Sequence, residues 1–185
     1  CRRLVELGGD VVVIDDLSTG FASNLEGIDV DFIEGSILDA GPLARIAETE
    51  AIVHLAAVPS VPRSVKDPVT SHDANATGTL RVLEAARANM SHVIVASSSS
   101  VYGANPTLPK VETLCPMPVS PYAVSKLAAE SYAISYQRVY ELPTIAFRFF
   151  NIFGPLQAPG HAYAAAIPAF THAAVRGFPI QVHGD

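Results

Sequence analysis

The sequence has no tryptophan, only two cysteines (Cys1 and Cys115) and only two methionines in 185 residues. Two unpatterned thiols exclude a disulfide framework and a cysteine-built metal centre. None of the six histidines stands at metal-ligand spacing from a partner, so no metal is expected. His54 lies inside a strand pattern and reads as structural. Charge is sparse, and the net −6 is spread along the chain. With no basic stripe to neutralise a phosphate backbone, a nucleic-acid partner is not expected. No apolar run reaches the length of a bilayer span, and no charged-then-apolar leader marks secretion, so no membrane partner is expected. These absences suggest a cytoplasmic protein with reduced thiols.

Apolar residues are plentiful, 49% of the chain, enough for a substantial core. Val11 to Asp15 (VVVID) is a continuous β-branched run, as expected for a strand covered on both faces. Further strand signals lie at Val30 to Ile33, Ala51 to Ala57, His92 to Ser98 and Thr144 to Phe150. Helical patterns alternate with them at Pro42 to Glu48, Ala74 to Ala88, Tyr122 to Tyr140 and Tyr163 to Arg176. Repeated strand–helix–strand units predict an α/β fold with a doubly wound parallel, Rossmann-like sheet over residues 1–150. From Asn151 the alternation loosens into GPLQAPG, and residues 151–185 read as the beginning of a smaller substrate-binding lobe. The opening CRRLVELGG reads as a helix end stopped by Gly8-Gly9, and the closing FPIQVHGD as a strand met by a turn. Both ends are expected to be cuts through a larger fold, and the piece alone is expected to be inactive.

Ligands of doubly wound sheets sit at the carboxyl ends of the strands. Asp15, followed by Asp16, ends the first strand run; a carboxylate there can accept both ribose hydroxyls of adenosine, or can cap the next turn. The glycine-rich loop that partners such an Asp belongs about 20 residues earlier, before the sequence begins. Ser36 and Ile37 follow the next strand and are placed to border an adenine, although Ile37 could equally be core. Leu55, Ala56 and Ala57 allow close main-chain approach to a pyrophosphate. Asn75 opens a helix, where it could be a plain cap.

Tyr122 and Lys126 are spaced i, i+4 near the start of a helix introduced by Ser120-Pro121, which puts phenol and ammonium on one face. The ammonium is expected to lower the tyrosine pKa, so that the phenol can take a proton from a sugar hydroxyl. The spacing alone also describes an ordinary surface pair. Its context is a strand ending in ASSSSVYG (Ala96 to Gly103), where a serine hydroxyl can hydrogen-bond a substrate oxygen beside the phenol.

The segments VVVIDDLSTG, IVHLAAVPSVPRSV, NATGTLRVLEAAR, VASSSSVYG, LPKVE, SPYAVSKLAAE and FRFFNIFGP, in that order, resemble the UDP-hexose 4-epimerase branch of the extended short-chain dehydrogenases/reductases. The likeness is strongest to UDP-N-acetylglucosamine and UDP-glucuronate 4-epimerases. It implies NAD as cofactor and a UDP-sugar as substrate, with Tyr122 as base, Lys126 on the nicotinamide ribose and Ser98 on the sugar oxygen. It also implies that Asp15, Asp16, Ser36, Ile37, Leu55 to Ala57, Asn75 and Phe150 contact the cofactor. By the same resemblance Asn151 would bind the diphosphate and Ala165, Ala166, Gln181 and His183 would line the nucleotide, while Ser60 either faces the sugar or is a plain loop serine. Dehydratases and decarboxylases of this kind carry an acidic residue just after the active hydroxyl, where this sequence has Ser99 and Ser100. Leu156 replaces an arginine frequent in relatives that act on glucuronate; Arg63 could serve instead, but reads rather as a surface residue. The helices Ala74 to Ala88 and Tyr122 to Tyr140 would pair with their mates in a homodimer.

Overall fold

The structure, a computed structural model, describes residues 1–157, 166–180 and 182. They fall into two compact units, Cys1–Arg148 and Phe149–Asp185. The first opens on helix α1 (Arg2–Glu6), strand β1 (Val12–Asp15), β2 (Asp31–Glu34), α2 (Ala40–Ile46) and β3 (Ala51–His54). Three helical pieces follow: α3 (Val61–Lys66), α4 (Pro68–His72) and, through a π-helical turn (Asp73–Thr77), α5 (Gly78–Asn89). Next come β4 (His92–Ser98), a 3-10 turn (Ser99–Tyr102), the long α6 (Pro121–Tyr140) and β5 (Thr144–Phe149).

β1 and β2 are parallel, with Val12 opposite Asp31 and Asp15 opposite Glu34. β3 and β4 are parallel, with Ala51 opposite His92 and His54 opposite Val95, and β5 lies on the far side of β4. The fold is Rossmann-like α/β, as the strand–helix alternation requires. Its sheet forms two hydrogen-bonded pieces. β1 pairs only with β2, and β3 only with β4, so among the described residues each keeps one edge without a strand partner.

One apolar cluster runs beneath both pieces, joining Ile14 of β1 and Ile46 of α2 to Leu83 of α5, Val95 of β4 and Ala133 of α6. Leu83, Val95 and Leu142 keep no accessible surface, which for side chains of this size is worth about 1.5–3 kcal/mol each. Gly78 admits this packing, because a Cβ there would stand 2.5 Å from Ile37 Cδ1.

The sequence reading placed no helix between Glu48 and Ala74, yet helix begins at Val61. Pro62 and Pro68 sit in first turns, where a missing N–H is no loss. Ser60 Oγ accepts from the Arg63 N–H at 3.2 Å and Asp67 Oδ1 from the Thr70 N–H at 3.0 Å, so each start is capped. Helix α6 is held to α5 by Tyr136, whose hydroxyl donates to Glu84. Arg87 grips the same carboxylate at 2.8 and 3.2 Å and lies 4.8 Å above the Tyr140 ring.

The described part of the second unit holds the exposed stretch 150–157 and α7 (Ala166–Arg176). No helix among the described residues is long and apolar enough to cross a membrane.

Candidate active site

Ser120 starts α6: its hydroxyl accepts from the Ala123 N–H at 3.1 Å, and Pro121 occupies the first turn. This cap places Tyr122 at the mouth of the helix, against the carboxyl end of β4. The Tyr122 main chain is anchored on both sides, its N–H donating to Ser64 Oγ at 3.0 Å and its carbonyl accepting from Ser125 Oγ at 2.8 Å. The Tyr122 and Ser98 side chains are hydrogen-bonded. One turn on, Lys126 Nζ donates to the Ala96 carbonyl at 2.9 Å. The three groups expected from the sequence therefore converge on one strand end.

Their electrostatics differ from expectation in one respect. Burial pushes the Tyr122 phenol above its ordinary pKa, and the Ser98 hydrogen bond only partly opposes it. The lowering expected from Lys126 does not emerge, because burial dominates and the ammonium is engaged on a carbonyl. Burial also pulls Lys126 down to about 8, so it is largely charged at neutral pH.

His54, at the end of β3, is the structural histidine expected. Thr79 Oγ1 donates its only proton to the Asn75 carbonyl at 2.6 Å, so at 2.9 Å it accepts from His54 Nε2–H. Burial, with a smaller push from the Lys126 charge, holds His54 down to about 4. Between that value and 6.5 the unfolded chain binds a proton that the folded chain refuses. Stability therefore rises with pH across this window and is lost on acidification through it, by about 3 kcal/mol in total. Denaturant melts at pH 7 and pH 4.5 should show the loss, and His54→Gln should make the dependence shallower; an equally steep dependence in that variant would refute the assignment.

On the cofactor side, Asp15 and Asp16 are exposed at the carboxyl end of β1. Each uses Oδ1 to accept one turn N–H, from Leu17 at 2.8 Å and Ser18 at 3.0 Å. Two exposed carboxylates suit a ribose diol, and the small Ala56 and Ala57 after β3 suit close approach of a pyrophosphate, so this chemistry fits an adenine dinucleotide. Ser36 Oγ accepts from the Leu38 N–H at 3.2 Å. The Ile37 side chain belongs to the core. Leu55 is exposed, and Ser60 is half-buried with φ of 103°, a strained value of the kind found at ligand sites.

Asn75 is not a cap but part of the π-helical turn, and it is 1% exposed. Its amide accepts from the Val58 N–H at 2.7 Å and donates to the Val58 carbonyl at 3.1 Å and to Ser125 Oγ at 3.0 Å. It thus staples the loop after β3 to α6. Phe150, Asn151 and Ala166 are exposed in the second unit. Ala165, Gln181 and His183 lie outside the described residues. Among the described residues no group of His, Cys, Asp and Glu is arranged to hold a metal.

Sequence reasoning overlooked Ser64 and Ser125, the hydroxyls that fix Tyr122. It also overlooked Glu130, which is 6% exposed and paired with Arg148 at 2.6 Å. The available signal was its spacing: Tyr122, Lys126 and Glu130 repeat every four residues and so share a helix face.

The family model described as NAD dependent epimerase/dehydratase matches residues 1–185. The UDP-glucose 4-epimerase of Mycolicibacterium smegmatis is 39% identical over 191 residues, covering 99% of this chain and 61% of that protein. The structure of UDP-N-acetylglucosamine 4-epimerase from Methanobrevibacter ruminantium M1, in complex with UDP-N-acetylmuramic acid, superposes with a TM-score of 0.92 at 36% identity, covering 100% of this chain and 60% of that one. The UDP-glucose 4-epimerase of Thermus thermophilus, a complex with NAD, gives 0.87 at 33% identity, with 99% and 62% covered. The chain thus spans about three fifths of the length of these relatives.

Proposed function

The chain belongs to the NAD dependent epimerase/dehydratase family, and from that membership we propose that it is the NAD-binding part of an enzyme that inverts C4 of a UDP-linked hexose through a 4-keto intermediate. The observation that carries this reading is the convergence of Ser98, Tyr122 and Lys126 at the carboxyl end of β4. Asp15 and Asp16 would hold the adenosine ribose of NAD, and Lys126 the nicotinamide ribose. When bound, NAD supplies reversible hydride acceptance at C4. The protein's own groups manage the proton: the Tyr122 phenolate takes it from the C4 hydroxyl, and Tyr122 returns it once the keto-sugar has turned over. The Ser98 hydroxyl fixes the reacting oxygen beside the phenol. Ser99 and Ser100 stand where dehydratases of this kind carry an acidic residue, which favours epimerisation over elimination of water. The exposed Val124, Ile134 and Val139 of α6 support a homodimer through α5 and α6.

The test is chromatography of the intact protein's products from UDP-glucose, UDP-N-acetylglucosamine and UDP-glucuronate, with light scattering of the same preparation for its mass. C4 epimers should interconvert with no net consumption of NAD. Net NADH accumulation would indicate a reductase, and a dehydrated product a dehydratase. Nucleotide binding without turnover would indicate a binding module.

A further inference from the structure

One buried ion pair beside the site has no part in the mechanism above. Glu130 lies one helical turn beyond Lys126. Arg148 of β5 donates to its carboxylate from Nη2 to Oε1 at 2.6 Å and from Nε to Oε1 at 3.1 Å and Oε2 at 3.0 Å. Ser97 Oγ donates to Oε2 at 2.7 Å. The two side chains are only 8% and 12% exposed. Tyr122, Lys126 and Glu130 on one face of α6 thus hold Ser98, Ala96 and Ser97, three successive residues of β4.

Lys126 and Glu130 are spaced for an i, i+4 pair, yet the ammonium bonds a neutral carbonyl. The planar Arg148 fork occupies both oxygens and, with Ser97, saturates them. Arg148 is itself held in place, donating to the Glu112 carbonyl at 3.2 Å and lying 4.9 Å above the Tyr102 ring. We propose that Arg148 is a positioning residue for the active site: by saturating Glu130 it prevents that carboxylate from capturing Lys126, and so keeps the ammonium on the Ala96 carbonyl beside Tyr122. Only its consequence for turnover rests on the functional reading above.

The other groups near Lys126 do not replace this pair. Tyr122 shares its helix, and His54 from β3 is held neutral by burial and by the Lys126 charge. The Tyr102 ring is covered by the Arg148 guanidinium. The charged and titratable groups of the helical elements packed against α6 are exposed: Arg63, Lys66, Asp67, His72 and Asp73, and on α5 Arg81, which donates to the Leu38 carbonyl, and Glu84, which is taken by Arg87 and Tyr136.

The test follows Lys126 itself in the intact protein, through the NMR titration of its side-chain carbon, assigned by its loss in Lys126→Arg. The wild type should titrate at about 8. Arg148→Met should raise that midpoint by about one pH unit or more, as the released carboxylate pairs with the ammonium. Adding Glu130→Gln should return it to the wild-type value. Arg148→Lys keeps the neutralising charge and should leave the midpoint in place even where thermal stability falls; if Arg148→Met does not fold, Arg148→Gln replaces it. An unmoved midpoint in the neutral variants, or a raised one that Glu130→Gln fails to reverse, overturns the proposal, because a merely structural pair changes only the melting temperature. A wild-type protein inactive on every nucleotide sugar but showing these titrations would sink the functional reading and leave this one standing.

Discussion

Tyr122→Phe is expected to lower turnover of the intact protein by about 10²–10⁴-fold, the span for loss of a positioned acid–base group. The change removes one hydroxyl. The main chain of residue 122 stays tied through Ser64 and Ser125 at 3.0 and 2.8 Å, so the start of α6 should not move. Lys126 also keeps its carbonyl partner at 2.9 Å. The loss should therefore fall on kcat, with NAD binding and melting temperature close to the wild type. Activity within a few-fold of the parent would remove Tyr122 from its role as base. The burial that raises the phenol adds a second requirement. Proton abstraction at neutral pH needs positive charge beside the ring beyond what Lys126 provides, and the oxidised nicotinamide is the group that would supply it.

The largest stability effect is expected at Gly103. A Cβ there would stand 1.9 Å from the Met117 carbonyl oxygen and 2.7 Å from its carbon, and the residue has φ of 46°. Neither side can yield cheaply. The Ala104 N–H donates to the Met117 carbonyl, and the Met117 N–H to the Val101 carbonyl, both at 3.0 Å. Gly103→Ala must break this pairing, and a loss of about 2–4 kcal/mol is expected, at the upper end for single substitutions. In a chain of this size that lowers the melting temperature by roughly 5–15 °C. Calorimetry of the variant checks it, and a shift under about 2 °C would mean that the Met117 segment moves aside freely. Because the turn directly follows Ser98, activity should fall along with stability.

The strands were legible because β-branched runs such as VVVID have few other uses, and α6 because Ser120-Pro121 is a strong start signal. The helices from Val61 were not, since Pro62 and Pro68 read as interruptions until their place in first turns is known. Ser98, Tyr122 and Lys126 could be paired from spacing and from the strand end. The phenol's actual balance could not, because it depends on how deeply the ring is buried, and local sequence does not carry that. Asn75 was legible as important but not as a staple, since its partners, Val58 and Ser125, are 17 and 50 residues away. Glu130 and Arg148 were missed for a related reason. A lone charge on a helix reads as solvated until a distant strand is seen to bring its counter-ion.

The halved sheet has a bearing on how the protein behaves in the laboratory. Among the described residues β1 and β3 each keep one row of main-chain donors and acceptors without a strand partner, and Val53 and Leu55 beside one of them are 50% and 63% exposed. In a crowded solution such rows act as templates on which neighbouring molecules stack. A strand or a partner lying along those two rims would therefore shield the protein from self-association.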